Sequence, residues 1–356
     1  MLSDLKAFFY DKKILITGHT TFLGSWLAMV LHNMGAKVSG CSLNPPVYPN
    51  LYEEVDLHEL IRSHIGDIRD YEYISNVNKL QQPEIVIHVS PACGFIDSVE
   101  PKELYTLNLL GSLNMLELCR QSNHTRVFVN LVPDYSTGLT LKNYDKKNQG
   151  ELDLVTGSFR STEFLTTGYR NAYFDAGSIN KHHKSIINIK TLPPIGGGDW
   201  SKNNLLQEYV QAVQKNKNQI MARPGKTRVM LHVLDVVTGI LSTTQKLYTD
   251  NTPIAVCDSK IYPDDNWFKD EKWVAQSFCD LLHDQPISIK TDQKQAANED
   301  LKVDEISTGY MDISGWTPKW DAAMALKKTI EWHQARERGA NMQRLSLGQI
   351  EEFMNE

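Results

Sequence analysis

The chain has 356 residues, is 41% hydrophobic and carries a formal net charge of −6. That length suits one extended α/β domain or a large domain with a smaller lobe. The acidic balance argues against a general nucleic-acid binder, whose phosphate contacts rely on basic surface.

Lys13–Thr17 is a β-type run that breaks at Gly18, and Trp26–Met34 carries apolar residues at helical spacing before Gly35 stops it. Lys37–Leu43 reads as the next strand, ended by Asn44-Pro45-Pro46. Leu57–His64 reads as a short helix, Ile65–Asp67 as a short strand, Tyr71–Gln81 as a helix and Glu84–Val89 as a buried strand. Leu104–Gln121 is predicted as one long helix with Leu107, Leu110, Leu113, Leu116 and Leu118 on one side. Arg126–Val132 and Ser185–Leu192 are strands on either side of a second long helix over Thr156–Ala176. The alternation predicts a Rossmann-type, doubly wound parallel sheet with its ligand site at the strands' carboxyl ends. Residues 1–193 are expected to form this domain. Residues 194–356, with a helix near 204–214 and a terminal one over Asp321–Arg336, are expected to form a smaller substrate lobe from which the chain crosses back.

No 18-residue apolar run exists, and Asp4, Lys6, Asp11 and Lys12 charge the first twelve residues. Neither a membrane span nor a secretory signal is expected, and a cytoplasmic protein is. The five cysteines, Cys41, Cys93, Cys119, Cys257 and Cys279, lack ligand spacing, and His182-His183 lacks a partner at such spacing, so no metal is expected. His88, ending a buried strand, reads as a satisfied core histidine.

A strand, a Gly-rich turn and a helix place backbone N–H groups and the helix dipole against a pyrophosphate. Here the turn is Gly18-His-Thr-Thr21-Phe22-Leu23-Gly24, with Thr21 where a middle glycine would let phosphate approach the backbone. NAD is therefore the cofactor expected, with binding weakened or lost at Thr21. In Gly66-Asp67-Ile68-Arg69, Asp67 either meets an adenine amino group or caps the following helix.

These stretches, with Ser42-Leu-Asn-Pro-Pro46, Pro83-Glu-Ile-Val86, Asn108, Gly111, Ile195-Gly-Gly-Gly-Asp-Trp200, Thr227-Arg228, His232-Val-Leu234 and Gly315-Trp-Thr-Pro-Lys-Trp320, carry a resemblance along nearly the whole chain. The chain resembles the extended short-chain dehydrogenase/reductases, and within them the nucleotide-sugar 4,6-dehydratases acting on CDP-glucose. The resemblance implies an enzyme that uses NAD to oxidise the sugar at C4, eliminates water across C5–C6 and returns hydride to C6. It implies a nucleotide-sugar partner held by Asp199, Trp200, Arg228 and His232, with Arg228 on the diphosphate. It also implies a homodimer joined through helices 104–121 and 156–176.

Departures gather at the catalytic positions. The family's Thr-Ser-Asp-Lys falls on Val132-Pro133-Asp134-Tyr135, so the aspartate, normally the acid for water loss, alone survives. Its Tyr-x-x-x-Lys falls on Val155-Thr-Gly-Ser-Phe159, and none of the 14 tyrosines has lysine four residues later. Asp134 is thus the retained catalytic residue and Tyr135 a weak substitute for the lost phenol. Three functions remain in view: a dehydratase-like pseudoenzyme acting by binding, an NAD-dependent enzyme of altered chemistry using Asp134 with Glu163 or Tyr135, and an interaction protein without a ligand.

Overall fold

A computed structural model describes residues 2–45, 47–89, 100–133, 154–201, 204–215, 217, 219–223, 225–249, 258–282, 287–291, 310–311 and 315–356. Asp134 and Tyr135 lie outside the described residues.

Twelve strands are described: β1 Lys13–Thr17, β2 Lys37–Ser42, β3 Arg62–Ile65, β4 Ile85–Val89, β5 Val127–Pro133, β6 Ser185–Thr191, β7 Gln219–Ala222, β8 Thr227–Val229, β9 Asp258–Ile261, β10 Phe268–Asp270, β11 Ser288–Thr291 and β12 Tyr310–Met311. Eight form one sheet in the order β3-β2-β1-β4-β5-β6-β9-β12, every neighbouring pair parallel. A parallel sheet covered on both faces needs unbroken apolar strands rather than alternating ones. β4, Ile-Val-Ile-His-Val, is accordingly buried at every position. Strand order reverses about β1, which lies between β2 and β4, and such a switch point opens a crevice at the carboxyl edge.

Several expected boundaries move for physical reasons. Helix at Leu57 stops at Leu60, because Arg62–Ile65 is drawn into the sheet against Ser39–Ser42 as β3. The helix expected from Leu104 starts at Pro101 and passes through a π-type turn at Thr106–Leu110 before Gly111–Gln121. One extra residue in that turn rotates the face. Leu107 and Leu116 are buried while Leu110 is 40% exposed, so the leucines do not share one side. The second long helix runs Leu154–Tyr173.

Beyond residue 194 the chain divides between two cores. β9 and β12 rejoin the main sheet, and the Val233–Thr249 helix packs on the Phe22–Asn33 helix. A separate core gathers Leu206, Tyr209, Ile220, Val274 and Phe278 under the β7/β11 and β8/β10 ribbons. The Ala322–Glu337 helix serves both, with Leu326 in the smaller core and Trp332 in the larger.

One buried polar cluster ties the long helix to the sheet. Asp258 at the start of β9 pairs with Arg170 and accepts from the backbone N–H of Asn188 at 3.0 Å and its side-chain amide at 3.1 Å. The Asn130 amide donates to Asn188 Oδ1 at 2.8 Å. Removing one partner of a buried pair strands the other charge. Asp258→Ala is expected to cost about 3–5 kcal/mol in urea unfolding, and a loss under about 1 kcal/mol, the range of exposed pairs, would contradict this reading.

Candidate functional site

The turn after β1 is built by two glycines. Gly18 has φ +74°, and a Cβ there would meet the Val89 carbonyl. A Cβ on Gly24 would collide with the Gly18 carbonyl, so the helix starts directly against the strand end. Thr21 is the helix N-cap: its Oγ1 donates to Gly18 O at 2.7 Å and accepts from Gly24 N–H at 3.2 Å. The first N–H groups of a helix have no intrahelical acceptor. Thr21 thus takes the third of them, and the N–H groups of Phe22 and Leu23 remain for an anion. Beside the turn, Thr20 Oγ1 hydrogen-bonds Ser42 Oγ at 2.8 Å and donates to Leu43 O. His19 Nε2 bonds Ser63 Oγ at 2.7 Å, and burial, with His64 nearby, lowers its pKa to about 4.

Asp67 does not cap the following helix; Asp70 does, accepting from Tyr73 N–H. Asp67 accepts instead from the Arg69 backbone at 2.8 Å and from its guanidinium on both carboxylate oxygens. Burial alone would raise its pKa, but the Arg69 bonds prevail and hold the carboxyl below its ordinary value. Ile68 is buried, its side chain against Gly111 and its carbonyl accepting from Asn114.

At the strands' carboxyl ends, His88 is held from both sides. Ser112 Oγ donates to Asn108 O, so it accepts from His88 Nε2–H at 2.9 Å, while Thr17 Oγ1 donates to His88 Nδ1 at 2.6 Å. The imidazole is neutral, burial pulling its pKa to about 4. Val132, Val155, Phe159 and Leu104 form one apolar cluster, with exposures of 2%, 8%, 1% and 4%. One helical turn beyond Phe159, Glu163 pairs with Lys190 of β6 at 3.3 Å.

The glycine block is wedged against the first turn. A Cβ on Gly196 would come 3.1 Å from Phe22 Cζ, Gly197 O accepts from Trp26 Nε1 at 3.1 Å, and Gly198 has φ +82°. Asp199 folds locally, accepting from Ser201 N–H and the Asn204 amide, and burial raises its pKa. Trp200 packs edge-on to His333, with the Arg336 guanidinium 4.5 Å from its ring centre. Arg228 meets Glu271 through two N–H groups at 2.8 and 2.7 Å. Glu271 is fully buried and also binds Arg223 at 3.0 Å, a carboxylate that no spacing in the sequence singles out. His232 has no exposed surface: its ring lies 4.7 Å from Trp320 and 6.4 Å from Trp26, centre to centre, and its Nδ1 accepts from Leu234 N–H. The structure therefore brings together the glycine turn and the glycine block. It holds Arg228 in a separate ion-paired cluster and His232 in the core.

A doubly wound sheet with a glycine turn at its switch point defines a dinucleotide-binding class of protein. The chain belongs to the NAD dependent epimerase/dehydratase family, whose profile matches residues 14–256. It is 31% identical over 356 residues, covering 98% of each chain, to the CDP-glucose 4,6-dehydratase of Salmonella typhimurium. The dTDP-D-glucose 4,6-dehydratase of Dictyostelium discoideum is 25% identical across 65% of this chain and 55% of its own. Among solved structures, the dTDP-glucose 4,6-dehydratase of Bacillus anthracis in complex with NAD superposes with TM-score 0.64 at 17% identity, over 93% of this chain and 99% of that one.

His88 gives a pH test. Its folded pKa near 4 lies below the ordinary 6.5, so the unfolded chain takes up the proton first and stability falls as pH drops from 6.5 towards 4. We expect His88→Gln to reduce that pH-dependent loss by about 3 kcal/mol, read from urea unfolding at both ends of the window. An unchanged pH slope would contradict the assignment.

Proposed function

We propose that this protein binds a CDP-glucose-like nucleotide sugar and NAD at the carboxyl edge of its sheet but does not turn the sugar over. It acts by binding, as a pseudoenzyme of deoxysugar or surface-polysaccharide metabolism in the cytoplasm. The observation that carries this is the Val132–Val155–Phe159–Leu104 cluster. On the resemblance, three of these are positions where the dehydratases place a hydroxyl, a phenol and an ammonium. Neither Val155 nor Phe159 can move a proton, and losing one positioned acid–base group already costs roughly 10²–10⁴-fold. Such losses do not multiply within one catalytic unit, and of this one the sequence keeps Asp134 alone.

The cofactor's chemistry is to accept hydride. Phe22 and Leu23 N–H and the helix dipole suit its pyrophosphate, and Asp67 with Ile68 suits its adenine end. Thr21 weakens the site by holding Gly24 N–H for itself. Arg228, oriented by Glu271, offers the rest of its guanidinium to a diphosphate. A homodimer through the Pro101–Gln121 and Leu154–Tyr173 segments is supported by Leu109, Leu110 and Phe164, which are 36%, 40% and 74% exposed on neighbouring helices.

A second reading, an active enzyme with altered acid–base groups, is favoured by the Glu163–Lys190 pair beside the apolar cluster. The two separate experimentally. With CDP-glucose and NAD added, we expect native mass spectrometry to show a liganded dimer, and NMR of the sugar to show no 4-keto product. Product that disappears in Glu163→Gln would establish the second reading instead. Thr21→Gly should strengthen NAD binding roughly fivefold in calorimetry, one hydrogen-bond donor being returned to phosphate. It should lower stability by only a few tenths of a kcal/mol. Unchanged or weaker NAD binding would contradict the role given to Thr21.

A further inference from the structure

A cavity of about 660 Å³ opens at the opposite edge of the sheet, where the strands begin. Its lining comes from residues 120–126, just before β5, from Tyr173 and Phe174 at the end of the long helix, and from residues 181–184, just before β6. The glycine turn, by contrast, follows β1 and the glycine block follows β6. In a chain of net charge −6, the lining includes Arg120, Arg126, Lys181 and Lys184 with His124, His182 and His183, and no carboxylate.

Some of this charge is spent locally. Lys184 Nζ donates to the carbonyls of Cys119, Arg120 and Ser122 at 2.7, 3.1 and 2.6 Å, which offsets the negative end of the Gly111–Gln121 helix. Arg120 is paired with Glu117 at 2.9 Å, and His182 is bonded to the Asp175 carbonyl and the Lys184 N–H. Arg126 lies 4.4 Å over the Tyr248 ring and has no carboxylate partner among the described residues. Lys181, His124 and His183 are exposed and have no ion-pair partner among the described residues. Beside them Tyr173 is 53% exposed, with the Arg120 guanidinium 5.4 Å from its ring centre.

Lys181 and Arg126 in a concave site fit a phosphate, and the half-exposed Tyr173 ring fits the ring that carries it. We infer that this cavity binds a phosphate ester on a ring, a site separate from the carboxyl-edge crevice. A phosphorylated sugar and a nucleoside monophosphate share that chemistry.

The test uses the full-length protein at low salt, titrated calorimetrically with glucose 1-phosphate, CMP and inorganic phosphate. At least one ester should bind with a Kd of about 1 mM or tighter, and at least tenfold tighter than inorganic phosphate. Whichever ester binds more tightly identifies the source. Lys181→Ala/His183→Ala, both exposed positions, should weaken the ester at least tenfold with an unchanged melting temperature. Tyr173→Ala should weaken the ester while leaving inorganic phosphate unaffected. In Arg228→Ala the part of the binding that the double variant removes should be unchanged, which separates it from any occupancy of the carboxyl edge. Absence of ester binding, or binding untouched by the double variant, overturns the site. Equal affinity for ester and inorganic phosphate overturns the ring contact.

Discussion

The contact between Gly24 and the carbonyl of Gly18 sets most of what surrounds the crevice. With no room for a Cβ, the first long helix begins against the end of β1 and its N-terminus points into the switch point of the sheet. The same placement puts Phe22 against Gly196 and Trp26 Nε1 on the Gly197 carbonyl. The glycine block can dock there because it too lacks side chains. Two glycine clusters, linked by a bond between residues 171 apart in sequence, are thus one packing unit, and the chain downstream of residue 194 is anchored through it.

The apolar cluster differs in physical character from the polar groups around it. Around His88 and Asn188 buried polar groups meet partners, as a low-dielectric interior demands, although Asn130 Oδ1 has none among the described residues. At Val132, Val155 and Phe159 the matching is apolar to apolar. A lone lysine restored in place of Phe159 would face a burial penalty with no counter-charge supplied by its cluster neighbours. Val132, Val155, Phe159 and Leu104 therefore stabilise one another as packing.

Much of the fold was legible in the sequence. The β1 run and the Tyr71–Gln81 helix coincide with expectation because propensity, periodicity and stop signals agree there. β3 was displaced because sheet pairing outweighs helical spacing at a sheet edge, and the π-type turn at Thr106–Leu110 leaves no mark in a leucine pattern read at 3.6 residues. The tight turn of the candidate site was legible at Gly18 and Gly24, where backbone geometry decides, and side-chain meetings across the chain much less so. Nothing near Asp67 shows that Arg69 claims both its oxygens. Glu271, 43 residues from Arg228, is visible only once β8 and β10 pair.

On the proposed function, the apolar cluster removes proton transfer from an otherwise retained nucleotide-sugar fold. A single-turnover experiment with CDP-glucose deuterated at C4 and excess protein loaded with NAD tests it most directly, because label leaves C4 in the first chemical step. Deuterium retained at C4 at the rate of a protein-free control is the outcome this account predicts. Deuterium recovered at C6 of the sugar would contradict it, showing a complete hydride cycle run by groups other than those the cluster displaced.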